Sequence, residues 1–437
     1  MLPITGYYLI AGLFTLAAAL IWGVNTLFLL DAGLDILGVF IANSAFTAGM
    51  VVFEVPTGVL ADTAGRRVSF LASVVTLTIT TVAYVAVAQL GWGVVAFAAV
   101  SVVMGLGFTF YSGAVEAWLV DALHHTGYAG QLDRVFARGS MVSGAAMVTG
   151  TIAGGLLGDV DLALPYLVRT TLLIAVFVVA WRAMHDLGFT PRAVTLHDLP
   201  REMREIGRAS LRYGWHQRPV KLLMLVSFVQ VGFMSWGFYA WQPYFLELLG
   251  RNAVWVAGFA ASALAGAMIV GNVIVDRLSR FCGRRSTLLL WSAGAYTAAA
   301  VGVGLTDSFW LALGLMVVLA SAMGVSGPVK QAYLHQVTAA EQRASAVSLD
   351  SMIGSGGGVV GQSGLGWLAR AQSIEMGYVT GGLATILAIP LYWALRRVGG
   401  APDYIIGETA GVSAPCAAQG IPEVAGVDAR AHGHTPA

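Results

Sequence analysis

Charge, cysteine and the usual signatures of catalysis are all scarce in this sequence of 437 residues. Charged side chains make up 11% of it, against about 25% in an ordinary soluble domain, which excludes a water-exposed globular fold. Two cysteines, Cys282 and Cys416, are too few for a disulfide framework. There is no GxxxxGKS/T loop, no HExxH pair and no polar stretch long enough for a nucleotide-hydrolysing domain. An enzyme, a primary pump and any resident metal or organic cofactor are therefore not expected. Basic residues are nowhere interleaved with aromatics as a nucleic-acid surface would require, so no nucleic-acid partner is expected either.

What the chain has instead is apolar length. Runs able to cross a bilayer, which takes roughly 17 to 25 residues each, fall at 7–30, 36–60, 68–88, 92–118, 138–158, 164–182, 221–248, 254–275, 286–305, 308–328, 346–368 and 376–395. These twelve lack the alternation of a transmembrane β-barrel strand. Lipid offers no partner to backbone groups, so helices are the remaining solution and an all-α multi-pass membrane protein is expected. The first run has no basic region before it and is read as a span, not a leader.

Arginine and lysine alternate from loop to loop. Arg66 and Arg67, Arg134, the stretch from Arg182 to Lys221, Arg277 to Arg285, Arg343, and Arg396 with Arg397 all fall on one side. The other set of loops holds only Arg251 and Arg370. The positive-inside rule then puts both termini in the cytoplasm and implies an inner-membrane location.

The longest polar interruption, 185–220, has Leu199, Met203, Ile206 and Tyr213 at helical spacing among arginines, which predicts an amphipathic linker helix. It separates a six-run bundle at 1–184 from a second at 221–397, and a tail at 398–437, rich in Ala, Gly and Pro, is expected to be disordered. The halves repeat one another. Trp22-Gly23 matches Trp236-Gly237, Asp62 matches Asp276, and Ser112-Gly113 matches Ser326-Gly327, all at an offset of 214 residues. Related halves of this kind surround a midplane site and rock about it.

Between runs 2 and 3 stands "GVLADTAGRR", and its worn copy "GNVIVDRLSRFCGRR" keeps Asp276, Gly283, Arg284 and Arg285. Twelve spans in two related halves, the basic central loop and Gly58, Leu60, Asp62, Gly65, Arg66 and Arg67 resemble the major facilitator superfamily, whose signature there is Gly-x-Leu-x-Asp-x-x-Gly-Arg-Arg/Lys. Within it the chain is most similar to the drug-exporter-like, proton-coupled branch: Gly150, Gly154 and Gly155 resemble Gly-Pro-x-x-Gly-Gly, with Thr151 at the proline position and Thr109 where many exporters carry an arginine. The resemblance implies an inner gate built from Gly58, Asp62, Gly65, Arg66, Arg67, Asp276, Arg284 and Arg285. In it Asp62 latches onto the N-terminal end of run 11, near Ala340 to Ala344, in the outward-facing state.

Ionisable side chains at membrane depth are costly and mark function by default. Folding runs 4 and 5 into a hairpin about Gly127 puts Glu116 level with Arg138 and Asp121 level with Arg134, which predicts two ion pairs. In the second half the polarity inverts, with Lys330 level with Asp350, and this pair joins the inner gate. Glu54 lies at the same depth as Glu116 and Arg138, so one carboxylate is left over. Glu54, Glu116, Arg138, Asp121 and Arg134 are therefore the proton-coupling candidates, set against the plainer reading of a static inner brace.

Nearer the midplane, Asn25 and Asn43 fall level with each other, and Gln230, Trp236, Tyr239 and Gln331 complete the candidate substrate cavity. Amides and aromatics suit a largely apolar molecule with a few polar groups, while Asn25 and Asn43 could equally be interhelical glue and Trp236 a packing position. The expected function is alternating-access secondary transport by a monomer, with a small-molecule substrate, protons and the bilayer as partners, and proton-coupled efflux of an amphiphile as its form. The alternatives are a proton-coupled importer of a small polar solute or metal chelate, and a membrane sensor that moves nothing.

Overall fold

The computed structural model describes residues 3–111, 113–128, 130–189, 217–250, 253–338 and 343–405. The amphipathic linker helix expected within 185–220 falls mostly outside them, as does the tail beyond 405. The first half comprises α1 (Pro3–Trp22), α2 (Asn25–Asp31), α3 (Ile36–Ala64), α4 (Arg66–Leu90), α5 (Gly93–Tyr111), α6 (Ala114–His125), α7 (Leu132–Val160) and α8 (Leu164–Ala183). The second comprises α9 (Arg218–Leu249), α10 (Val254–Cys282), α11 (Arg285–Gly304), α12 (Phe309–Val337), α13 (Arg343–Ala371), α14 (Ile374–Ala384) and α15 (Ala388–Val398). Every apolar run is a helix. Among the described residues eleven helical segments are long and apolar enough to span, and α13, the one rich in Gly and Ser, is not among those eleven.

Three runs are broken. Run 1 stops at Trp22 and restarts at Asn25; run 12 tightens into a 3₁₀ turn at Thr385–Leu387; and run 4 breaks beside Gly113, whose φ of +72° a side-chain-bearing residue rarely adopts. Pro56, Pro243 and Pro328 lie inside helices without ending them, as membrane helices allow when neighbours re-satisfy the freed carbonyls.

The sequence repeat is also a packing repeat. The neighbour pairs α1–α7, α3–α5 and α4–α8 of the first half recur as α9–α13, α10–α12 and α11–α14 of the second. Without a hydrophobic force between helices in lipid, such pairs hold by close backbone approach. A Cβ on Gly154 would overlap the Leu20 carbonyl, and one on Gly361 that of Gly232. Two extensive contacts, α7–α10 and α3–α13, and a smaller one between α2 and α9 join the halves.

Each half also ends by capping its own third span. Asp186, just after α8, accepts a hydrogen bond from the Arg67 backbone N–H at 3.0 Å, at the N-terminus of α4. Asp403, just after α15, accepts from the Ser286 N–H and hydroxyl, both at 2.8 Å, at the N-terminus of α11. Orphan amides and the helix dipole both favour a carboxylate there. Arginines secure each cap: Arg67 bonds the Trp181 carbonyl at 2.9 Å, and Arg285 bonds the carbonyls of Pro402 and Tyr404 at 2.7 and 2.6 Å. Disorder expected from residue 398 onward is thus corrected for 399–405, because Asp403 is buried against α11.

Candidate functional site

The outer ends of the halves are sealed together. The Gln242 side chain accepts from the Thr26 N–H at 2.9 Å and donates to the Trp22 carbonyl at 2.8 Å, while the Thr26 hydroxyl donates to the Tyr239 carbonyl. Thr151 and Ser262 share a 2.6 Å hydroxyl contact across α7 and α10, Gly155 lies against Gly258, and Asp35 pairs with Arg370 at 3.1 Å. At the cytoplasmic ends α3, α5 and α6 face α12 and α13 across a cavity of about 820 Å³. By the charge-derived orientation this is an inward-facing state.

Glu54, Glu116, Gln331 and His335 are among the residues lining that inner cavity. The break at Gly113 starts α6 afresh, so Glu116 sits in its first turn. The two ion pairs expected across the 4–5 hairpin do not form among the described residues. Arg134 and Arg138 are exposed on α7, which packs on α1 and α10, whereas α6 packs on α4 and α1. Consecutive spans are not neighbours here, so level residues do not meet. The second-half pair does meet: Lys330 Nζ lies 2.8 Å from Asp350, with side chains 19% and 13% exposed. Ser227 bridges them, donating to Asp350 at 2.5 Å and accepting from Lys330.

At the gate motif Asp62 at the end of α3 pairs with Arg66 at the start of α4 at 2.6 Å, across the Gly65 turn. Residues 340–342, most of its expected latch partner, lie outside the described residues, as does the side chain of Asp276. Gly65 takes φ +108° between α3 and α4, a turn that needs glycine. A Cβ on Gly58 would meet open space in this state. Arg284 stacks on the Tyr404 ring, its carbon 4.8 Å from the ring centre.

Above the inner cavity lies a central chamber of about 310 Å³ lined by both halves. Asn25 and Asn43 meet in its wall as expected, Asn25 Nδ2 donating to Asn43 Oδ1 at 3.1 Å, and the Tyr166 hydroxyl donates to Asn25 Oδ1 at 2.8 Å. Tyr239 and Gln362 also line it. Three other candidates go elsewhere. Trp236 is wholly buried among Phe40, Phe233 and Tyr378, a packing position. Gln230 turns to Tyr392 of α15, accepting from its hydroxyl at 3.5 Å, and Gln331 belongs to the inner cavity.

Sequence reading misses Arg169. It lies inside run 6, is 3% exposed, and lines the central chamber. Hydropathy averaged over a span hides one charge, but the rule that any ionisable residue inside a span is functional would have found it. A second, almost wholly apolar chamber of about 360 Å³ adjoins, sharing Trp22, Met234 and Phe238 with the first.

Several solved structures share this architecture. The nucleoside transporter NupG superposes with a TM-score of 0.76 at 10% identity, over 91% of this chain and 100% of its own. The human organic anion transporter MFSD10 gives 0.63 at 15% identity, over 89% and 98%. A bacterial homolog of the human lysosomal transporter Spinster, in an inward-facing and unoccupied conformation, gives 0.68 at 14% identity, over 92% and 98%. Among curated protein sequences none matches. The Major Facilitator Superfamily model matches residues 7–282 and 254–418. With helices paired alike in both halves and a cavity between them, this chain belongs to the Major Facilitator Superfamily and is a membrane transporter of small molecules.

Proposed function

We propose that this transporter exports an amphiphilic small molecule across the inner membrane in exchange for protons, as a monomer and by rocking of its halves about the central chamber. The observation that carries the reading is the placing of two carboxylates, Glu54 and Glu116, on the wall of the inner cavity, with Arg138 exposed on another helix. Carboxylates reached by water from one side in one state, and from the other in the next, are what a proton carrier requires. Glu54 is the first candidate of the two, because it lies on α3, which packs against α5 of its own half and α13 of the other. An amphiphile fits a chamber of amides and aromatics opening onto a nearly dry apolar one. Gly150, Gly154 and Gly155 in α7 support the exporter-like branch and hence the outward direction.

The test is substrate-evoked proton movement in proteoliposomes loaded with a pH-sensitive dye and challenged with a panel of amphiphiles in each membrane orientation. Amphiphile added outside enters in exchange for lumenal protons, so the wild type alkalinises the lumen; Glu54→Gln abolishes this at equal reconstitution, and Glu116→Gln slows it. Full proton movement in both variants removes these carboxylates from the path.

A further inference from the structure

The central chamber has surplus donors, one of them charged, and no acid among its described lining residues. Arg169 is buried in α8 and its Nε has no hydrogen-bond partner. Around it the polar groups are engaged with one another: Tyr84 with Ser101 at 2.7 Å, Tyr166 with Asn25 at 2.8 Å, and Asn25 with Asn43 at 3.1 Å. That chain ends on the Asn43 oxygen and leaves Asn43 Nδ2 buried without an acceptor. No described carboxylate pairs with Arg169, and an uncompensated cation is among the costliest things a membrane interior can hold. Nor is it a topological anchor, since such residues sit at cytoplasmic ends, as Arg182 does at the other end of the same helix. A ligand oxyanion supplies what this wall lacks, one negative charge and acceptors for both donors.

The adjoining chamber gives the other end of the ligand. Beyond the shared Trp22 and Phe238 its walls include Met147, Met268, Met316 and Met323. Unbranched thioethers mould around apolar bodies of varied shape, as broad binding sites use them. Resting on the reading of this chain as a carrier of amphiphiles, we propose that its substrate is an amphipathic organic monoanion. The carboxylate or sulfonate is held by Arg169 with Asn43, and the apolar body lies in the methionine-lined chamber.

The test uses three matched probes, naphthalene-2-carboxylate, its neutral carboxamide and naphthylmethylammonium, with the full-length protein in nanodiscs. Binding is read by tryptophan fluorescence at about pH 7.5, where the carboxylate is ionised. The wild type binds the carboxylate at least about tenfold more tightly than the carboxamide, the worth of one charge-assisted contact, and the ammonium weakest. Arg169→Gln removes that preference while the carboxamide affinity changes by less than about twofold, and Arg169→Lys keeps part of it. The carboxylate also raises the melting temperature of the wild type and not of Arg169→Gln, whose own cooperative melt and retained carboxamide binding show it folded. Equal affinities in the wild type, binding of no probe, or a preference that survives Arg169→Gln overturns the proposal. An intact preference without any substrate-evoked proton movement overturns proton-coupled export and leaves this site standing. Proton movement evoked only by neutral or cationic amphiphiles does the reverse.

Discussion

Gly258→Val should hold the outer gate open. An ideal Cβ on Gly258 of α10 would stand 2.5 Å from the Thr151 carbonyl oxygen and 2.8 Å from the Gly155 Cα, both backbone atoms of α7 that cannot swing aside. The reciprocal Cβ on Gly155 would stand 2.7 Å from the Gly258 Cα. Carbon contacts relax at about 3.5 to 4.0 Å, so the helices must part by about 1 Å for a methyl alone, and further for valine. Overpacking of this kind costs about 1 to 3 kcal/mol. The close approach belongs to the state sealed outside, so that state alone bears the cost, and its population relative to the outward-open state falls by about 5- to 150-fold. The Thr151–Ser262 contact, one turn further in, is stretched by the same displacement. Double electron–electron resonance between labels at Asp31→Cys and Asp307→Cys, exposed positions at the outer ends of the two halves, reads the change as a shift to longer distances. Native Cys282 and Cys416 are replaced by serine in this background. Gly266→Val on the same helix is the control, because a Cβ there meets nothing within 4 Å. An unchanged distance distribution in Gly258→Val, or an equal shift in Gly266→Val, refutes the reasoning.

Three further outcomes are expected from thermal melts and flux. Asp350→Asn leaves Lys330 half-stranded beside Ser227 and destabilises by about 3 kcal/mol or more, and the double change Lys330→Met with Asp350→Leu recovers much of the melting temperature. Asp403→Ala removes two hydrogen bonds from a buried helix start and costs about 1 to 2 kcal/mol. Asp186→Ala, which loses one exposed bond, lowers the melting temperature less. Asp62→Asn breaks a part-exposed pair across the Gly65 turn worth about 0.2 to 1 kcal/mol, so its melting temperature barely moves; turnover that falls at unchanged stability marks a gating role.

The spans were legible because lipid leaves a polar backbone few choices, and length with apolarity then settles where helices lie. Pairings that depend on facing were legible only where span neighbours could be foreseen. Asn25 with Asn43 and Lys330 with Asp350 met, the second across α12 and α13 near their cytoplasmic ends. Glu116 and Arg138 did not, because α6 and α7 turn away to different partners, and sequence adjacency says nothing about that. Arg169 was hidden for the opposite reason. A window average over "LVRTTLLIAVFVVAW" reports a membrane span and dilutes the one residue in it that bears on recognition. Asp186 and Asp403 stand just past their spans, where a lone acid in a loop carries no pattern; only the fold shows that both return to the same place in their half.

Those two aspartates bear on mechanics as well as stability. Each half is cinched like a belt, its last span buckled to the start of its third, and the chain leaves each buckle directly: the central linker after Asp186, the tail after Asp403. Tension along the linker is grounded at the first buckle before it can bend the first bundle. Under the proposed rocking of the halves, a pull on either chain end is borne by these caps, and the bundle behind each tips as a stiff unit.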